Sequence, residues 1–274
     1  MSNERTLTPF QSTFRGGRVP FMILGVVFAV YLFAPMAVTI PASLTSGEFL
    51  EVPPDGLSLR WYEEVFDDSK WLDALVTSFQ VSGSAAILAT VTAFLAVTGL
   101  ARSRRWGGTL RPLFFLPMVL PIVVLALGLS RVLLMLGMQT SFGAVVLGQA
   151  LLGLPIAFIA ISAGMVGIDP AIHRAAASLG STWWRTVFTI DLPLLKQSVF
   201  GALILSFAYA FDEAVLALFL APTGQTTLPT LLYQEASFRA SPLLASVSGL
   251  VILLTCAIAA LALVINRALG RRAQ

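Results

Sequence analysis

Long apolar segments constrain this chain more than any other feature of its sequence. A helix needs about 20 mostly apolar residues to cross the hydrocarbon core of a bilayer. Windows of that length and character occur at residues 21–40, 75–100, 112–138, 142–167, 197–220 and 243–265. The fifth window is the imperfect one, because it carries Asp212 and Glu213. The pattern predicts an all-α polytopic membrane protein with about six transmembrane helices.

The composition agrees with a chain whose main solvent is lipid. Hydrophobic residues make up 57% of the 274 residues and charged residues only 11%, and the mean hydropathy is +0.87. A soluble domain has about 25% charged residues. The chain is basic, but its basic residues are scattered through the segments that flank the apolar windows, so a nucleic-acid partner is not expected.

The basic residues also predict the orientation of the chain, since loops rich in Lys and Arg stay on the cytoplasmic side. Of the 17 basic residues, 13 fall in the N-terminal segment, the connections after the second and fourth windows, and the C-terminal tail. Both termini are therefore predicted to be cytoplasmic. The predicted divisions are a cytoplasmic segment 1–20, a membrane domain 21–266 with an outer loop 42–73 and a cytoplasmic loop 167–197, and a cytoplasmic tail 267–274. The first window lacks a small-residue cleavage site, so we interpret it as a retained helix.

The loop 167–197 is the most informative segment, with the sequence GIDPAIHRAAASLGSTWWRTVFTIDLPLLKQ. Asp169 and Pro170 suit the cap and the first position of one short helix, and Gly180 suits the left-handed residue that ends it. A second helix is expected to follow and to stop near Pro193.

Three successive alanines leave the first of these helices without bulk, so another protein can close tightly around it. The loop resembles the cytoplasmic coupling signature of permeases of binding-protein-dependent ABC importers: Glu-Ala-Ala, three residues, Gly, nine residues, Ile, one residue, Leu-Pro. The corresponding residues here are Arg174, Ala175, Ala176, Ala177, Gly180, Ile190, Leu192 and Pro193. The resemblance implies that they couple the chain to an ATPase subunit, and the rigid Pro193 junction is expected to pass the docking motion to the fifth helix.

Arg174 departs from the family pattern, which usually has Glu at this position. The reversed charge affects any salt bridge that the resemblance implies, but not docking by the shape of the alanines and the glycine. His173, the only histidine, is expected to be a solvated residue of the docking helix. Alternatively, the loop is an ordinary amphipathic helix that rests on the membrane surface, with Trp183 and Trp184 as interfacial anchors.

The resemblance extends over the whole chain. SFAYAFDEAVLALFL and TTLPTLLYQEASFRASPLLAS are similar to the C-terminal half of polyamine-type permeases, and FLEVPPDGLSLRWYEEVF is similar to their first outer loop. This group also includes importers of opines, aminophosphonates and ferric iron. The resemblance implies the type I ABC importer permease fold in a bacterial inner membrane, with a polyamine or related amine as one candidate solute. The implied partners are ABC ATPase subunits, a second permease chain, related or identical, and a periplasmic solute-binding protein.

Two acidic residues in the fifth window are candidates for the transport pathway. Burying the carboxylates of Asp212 and Glu213 in lipid costs several kcal/mol, so they are expected to face the interior of the bundle. They could attract a cationic solute, with Tyr209 and the neighbouring Phe207 and Phe211 supplying aromatic faces for amines. Alternatively, the helix breaks here and the acids cap a half-helix or pair with an Arg of a partner chain.

The other charged and reactive residues indicate no chemistry. Arg131 in the third window either snorkels to the outer interface or pairs with the acids of the fifth. No GxxxxGK[ST] phosphate-binding loop occurs in the chain, so ATP hydrolysis is assigned to another subunit. No catalytic residues, metal cluster or cofactor are expected, since Cys256 and His173 are the only residues of their types. The alternative of another class is a secondary carrier or channel that uses the acids as a proton or cation relay.

Overall fold

The computed structural model describes residues 18–54, 56–103, 107–138, 140–238 and 241–271. Regular structure in these ranges is helical, and an isolated antiparallel bridge joins Thr45 to Leu57. The predicted all-α fold class is therefore confirmed. Residues 1–17 of the predicted N-terminal segment and 272–274 of the predicted tail lie outside the described residues.

The helices follow one another with short connections. In chain order they are α1 Arg18–Ser43, α2 Arg60–Asp67, α3 Ser69–Arg102, α4 Gly107–Leu110, a 3-10 turn Arg111–Phe115, α5 Leu116–Val119, α6 Ile122–Met135, α7 Phe142–Val166, α8 Pro170–Ser178, α9 Trp183–Thr186, a π-helical turn Val187–Asp191, α10 Leu192–Asp212, α11 Val215–Leu220, α12 Leu228–Phe238 and α13 Pro242–Arg271. The chain divides into two compact units. The first contains the described residues up to Glu64 together with Ser241–Ile252, and the second contains Val65–Ala240 and the residues from Leu253 onward.

In the described part of the chain, five helices are long and apolar enough to cross a membrane, by length and composition. They are α1, α3, α7, the continuous helix Trp183–Asp212 and the Pro242–Asn266 part of α13. A sixth span is obtained if the bent pair Gly108–Val119 and Ile122–Met135 counts as one. The predicted number of about six agrees with this arrangement.

The third window, residues 112–138, is interrupted and does not form one continuous helix. Its two halves are bent by 103°. Leu120 is extended, with ψ 136°, and Pro121 follows it as the cap of α6. The residue before a proline disfavours the helical conformation, so the chain turns at this dipeptide.

The first unit is built around the outer loop. The hydroxyls of Ser43 and Tyr62 are 2.7 Å apart, and Trp61 Nε1 donates to the carbonyl of Gly47 at 3.2 Å. Ser246 Oγ donates to the carbonyl of Ser43 at 2.9 Å. These bonds satisfy polar groups that the turns of this loop would otherwise leave without partners.

The second unit has its core where α3, α7 and α10 meet. Ala85, Ala89 and Ala93 recur every fourth residue on the buried face of α3. A side chain at Gly153 of α7 would lie 3.4 Å from both Ala89 Cβ and Ser206 Cβ. Lipid offers no hydrophobic drive for helices to associate, so close approach of backbones through small residues supplies the packing energy.

The contact of α7 with α10 at Gly164 generates a test of this packing. A Cβ at Gly164 would lie 2.8 Å from Ser198 Cβ, which cannot rotate away as a hydroxyl can. Gly164→Ala is therefore expected to destabilise the chain by about 1–3 kcal/mol and to lower its Tm in detergent. Gly201→Ala on α10 is the matched control, because a Cβ there meets nothing within 4 Å. Equal Tm values for the two variants would contradict the packing described.

Candidate functional site: an exposed helix and a broken span

The caps of α8 follow the sequence prediction. Asp169 Oδ1 accepts a hydrogen bond from the N–H of Ala171 at 2.8 Å, and Pro170 is the first residue of the helix. Gly180 has φ +77°, and the N–H of Ser181 bonds to the carbonyl of Ala176 at 2.9 Å. A glycine in this left-handed conformation ends the helix and redirects the chain. The predicted start and end of the first loop helix are confirmed.

The second loop helix does not stop near Pro193, so that prediction is wrong. The chain stays helical from Trp183 to Asp212. The turn Val187–Asp191 is π-helical, with the N–H of Leu192 bonded to the carbonyl of Val187, and Pro193 falls in the first turn of α10. A proline has no N–H to donate and clashes with a carbonyl of the preceding turn. The wider π turn accommodates it, so the segment after α8 and the fifth span share one helix.

The alanines of α8 do not all lie on one surface. Arg174, Ala175 and Ala177 are exposed. Ala176 is buried, with 8% of its surface exposed. The alanine pair of the signature is therefore split, with Ala176 packed inward and Ala175 available to another protein.

The remaining signature residues are spread over the loop and the long helix. Gly180 and Pro193 are exposed, and Ile190 and Leu192 are half-buried. Beside Gly180, the apolar side chain of Leu179 is 88% exposed. The end of α8 therefore carries an apolar side chain that is free to contact another molecule.

Asp191 is a candidate functional residue that the sequence analysis missed. Its side chain is fully buried at the last residue of the π turn. His173 Nε2 lies 2.6 Å from one carboxylate oxygen, and Arg102 Nη2 at the end of α3 lies 3.4 Å from the other. The expectation that His173 is a solvated surface residue is therefore wrong. The signal in the sequence was a lone acid in an apolar stretch, which needs a cationic partner when buried.

A cavity of about 450 Å³ lies beside these three side chains. Its lining includes Arg102, His173 and Arg174, together with Ser181 and Thr186, whose hydroxyls are 3.0 Å apart. Arg102 and His173 keep part of their surface exposed, whereas the carboxylate of Asp191 has none. These two partners thus keep contact with solvent, and the buried carboxylate depends on them for its stability.

The fifth window breaks at its two acids. α10 ends at Asp212, and α11 begins three residues later at Val215, so residues 197–220 do not form one continuous helix. The carboxylate of Glu213 accepts hydrogen bonds from the N–H groups of Val215 at 2.8 Å and Leu216 at 2.7 Å. This is the geometry of a helix cap, the alternative that the sequence left open for one of the two acids.

Two neighbouring helices hold the break in place. Gln149 Nε2 on α7 donates to the carbonyl of Glu213 at 3.4 Å, and Thr230 Oγ1 on α12 donates to the carbonyl of Ala214 at 3.1 Å. The backbone groups released by the break are therefore satisfied by side chains, as the interior of a membrane requires.

The other predicted pathway residues lie beside this break. Asp212 and Tyr209 are exposed. Phe207 and Phe211 form an aromatic cluster with Phe79 of α3, with ring centroids 5.3–5.7 Å apart. An exposed acid next to aromatic rings is an arrangement that can attract and hold a cation. Their role in transport stays a prediction.

We call Arg102, His173 and Asp191 the Asp191 cluster. The charged residues at the start of α3 lie far from this cluster. Lys70 Nζ is 3.3 Å from carboxylate oxygens of both Asp68 and Glu235. α3 has 34 residues, which corresponds to about 50 Å of helix. Lys70 and Arg102 therefore mark opposite ends of the second unit.

Comparisons with known proteins agree with the resemblance noted in the sequence. The model of the family described as "Binding-protein-dependent transport system inner membrane component" matches residues 85–272. The putrescine transport system permease protein PotI of Escherichia coli K12 is 28% identical over 243 residues, which cover 86% of this chain and 85% of the relative. The spermidine/putrescine transport system permease protein PotC of Haemophilus influenzae is 26% identical, over 88% of this chain and 94% of the relative.

Solved structures have the same fold. A chain of a bacterial ABC transporter involved in the import of the acidic polysaccharide alginate gives a TM-score of 0.71 at 14% identity, with 94% of this chain and 98% of that chain covered. In a second structure, the alginate transporter is in complex with an alginate pentasaccharide-bound periplasmic protein, and the TM-score is 0.68. These similarities confirm the predicted permease fold.

The cap at Glu213 can be tested by its effect on stability. Glu213→Ala removes both acceptors and leaves the N–H groups of Val215 and Leu216 unpaired, so we expect a loss of about 0.5–2 kcal/mol. The measurement is the Tm of the purified chain in detergent. Asp212→Ala is the matched control, because this neighbouring acid is exposed. If both variants lower the Tm equally, the carboxylate of Glu213 does not hold the break.

Proposed function

Because the chain belongs to the family of inner-membrane components of binding-protein-dependent transport systems, we propose that it forms the solute pathway of an ATP-driven importer and docks an ATPase subunit through α8. The protein is a permease subunit located in the bacterial inner membrane. The observation that carries the docking proposal is α8 itself. It is a capped and largely exposed helix, joined through a short loop to a helix that continues to Asp212.

The proposed orientation places α8 on the cytoplasmic side. Arg174, Arg185 and Lys196 lie in or next to the docking loop, and Arg102 lies at the same end of the second unit. The opposite end carries the acids Asp68 and Glu235 around Lys70. An excess of basic residues marks the cytoplasmic side of a membrane protein. The solute would then enter at the end of Lys70, where a periplasmic binding protein would deliver it.

The proposed docking surface is the exposed side of α8. Ala175 allows close approach, Leu179 offers an apolar contact, and Arg174 adds a positive charge. A complementary ATPase surface has an apolar groove with an acidic side chain near its edge. The reversed charge of Arg174 therefore defines a feature to look for in the partner. A second permease chain, related or identical, would complete the pathway.

The proposed solute is a polyamine or a related amine. The relatives PotI and PotC have names that specify putrescine and spermidine/putrescine transport. Asp212 is exposed, and along the chain it directly follows Phe211 of the three-phenylalanine cluster and comes three residues after Tyr209. Carboxylates and aromatic faces are the groups that attract ammonium ions. The carboxylate of Glu213 is occupied by two backbone N–H groups, so we assign solute contact to Asp212 and a structural role to Glu213.

The docking proposal predicts that Leu179→Asp loses the ATPase. A charge placed at the centre of an apolar contact should reduce the bound ATPase about tenfold or more. The measurement is affinity purification of the tagged chain in mild detergent, followed by the ratio of ATPase to chain in the eluate. Phe238→Asp is the control, since this side chain is equally exposed, at 89%, but lies on α12 at the opposite end of the second unit.

Two outcomes would contradict the docking proposal. An unchanged ATPase ratio in Leu179→Asp would show that the exposed side of α8 is not the docking surface. A chain that purifies alone and transports putrescine in liposomes without ATP would support the secondary carrier, which the family assignment does not favour.

The solute proposal predicts a loss of uptake in Asp212→Asn. With saturating putrescine-loaded binding protein, we expect the maximal uptake rate into proteoliposomes to fall about tenfold, since the variant loses one favourable charge interaction. The affinity of the binding protein for putrescine provides an internal check, because the substitution lies in another chain. Asp212→Glu keeps the charge and should keep most of the rate. Full activity of Asp212→Asn would exclude Asp212 from the pathway.

A further inference from the structure

The Asp191 cluster joins three parts of the second unit that are far apart in sequence. Arg102 ends α3, His173 lies in the middle of α8, and Asp191 lies in the helix that leads to α10. Among the described residues, the ion pairs between α8 and other helices involve His173 alone. A fully buried carboxylate bonded to both an arginine and a histidine is held in one position, because moving either partner away leaves a buried polar group without its partner.

The cluster lies where the long helix is most deformable. Asp191 is the last residue of the π turn, and Pro193 follows in the next turn. Both features interrupt the regular hydrogen-bond ladder, and interruptions of this kind are where helices bend. A displacement of α8 carried by the backbone alone would be absorbed here as bending. A direct side-chain contact between α8 and the neighbouring helices would carry the displacement past this point.

The cavity beside the cluster provides the space for such a displacement. It separates the end of α3 from α8 around Ala101, Arg174 and Ala177. α8 can therefore be displaced without compressing a packed core at this place, while His173 stays bonded to Asp191 and Asp191 to Arg102. The residues that face another protein, Ala175 and Leu179, are not members of the cluster.

We infer that the Asp191 cluster transmits the displacement of α8 to α3 and α10, and that Asp191 is a positioning residue for coupling. The inference rests on the proposed function, in which an ATPase docks on α8. It separates two roles within the loop. The exposed residues of α8 bind the ATPase, and the buried cluster converts its movement into a change at the end of α10, where Asp212 lies. This role replaces the rigid Pro193 junction expected from the sequence.

The experiment follows the end of α10 directly and needs no knowledge of the solute. Cys256 is the only cysteine of the chain, so a parent carrying Cys256→Ser and Asp212→Cys has one reactive thiol. Its labelling by a membrane-impermeant maleimide is measured in the complex with the ATPase and partner permease, without nucleotide and with ATP plus vanadate. The labelled chain is identified by its gel band. The parent is expected to change its labelling rate about fivefold or more between the two states.

Asp191→Asn in this parent should keep the ATPase bound at the parental ratio but bring the two labelling rates to within about twofold of each other. His173→Gln should act in the same way, and the double variant should be no worse than Asp191→Asn, since residues that act as a unit do not add. Thr189→Ala is the matched control. Its hydroxyl is exposed in the same π turn and bonds to the carbonyl of Arg185, so this variant should keep the parental response.

A second variant covers the case in which Asp191→Asn does not accumulate. Replacing the whole cluster by Arg102→Met, His173→Leu and Asp191→Leu removes all three polar side chains together, which proteins tolerate better than one buried charge left without a partner. This variant should also bind the ATPase and lose the nucleotide response.

The outcomes separate this inference from the proposed function. A parental labelling response in the cluster variants, or loss of the ATPase from Asp191→Asn, would overturn the assignment of the cluster to coupling. A parent that binds the ATPase but shows no nucleotide response would overturn the transmission of the movement to the end of α10, where Asp212 lies. A parent that retains no ATPase at all would instead reject docking on α8.

Discussion

The hydrocarbon interior of a membrane requires every backbone polar group to find a partner within the protein. Long helices meet this requirement along most of the chain, so the informative places are those where a helix is interrupted. At the break after Asp212, the carboxylate of Glu213, the amide of Gln149 and the hydroxyl of Thr230 supply the missing partners. The N–H of Leu228 similarly bonds to Ser78 Oγ at 2.7 Å. These side chains allow an exposed acid and a break in the helix to exist at the end of a span.

The same unit connects a surface helix to this interruption. Close packing of α3, α7 and α10 through alanine and glycine makes the bundle rigid, since backbones in direct contact have little room to shift. The π turn before Pro193 is a local exception, and Asp191 is buried at that point. Rigid helices joined at one deformable point rotate about that point as rigid bodies and do not bend along their whole length. This combination links the proposed docking loop to the proposed solute pathway.

Local rules predicted the features of the chain that local interactions control. The apolar windows identified the spans, and the sequence Asp169, Pro170 and Gly180 identified the limits of α8, because caps act within one turn of the helix. Pro193 misled the same reasoning. A proline usually ends a helix, but a wider turn placed before it removes the clash. The sequence did not decide whether the helix breaks at Asp212, since a carboxylate in an apolar run fits both a solute site and a cap.

The sequence by itself determined the fold class, the approximate number of spans, the limits of α8 and the resemblance to the family that the comparisons confirmed. These follow from hydropathy and from spacing along the chain. Only the tertiary structure decided that Ala176 is buried, that Glu213 caps α11 and that His173 meets Asp191. Each of these facts depends on which residues lie close together in space after packing. Asp191 is 18 residues from His173 and 89 residues from Arg102, and no local pattern specifies a contact between charges so far apart in the chain.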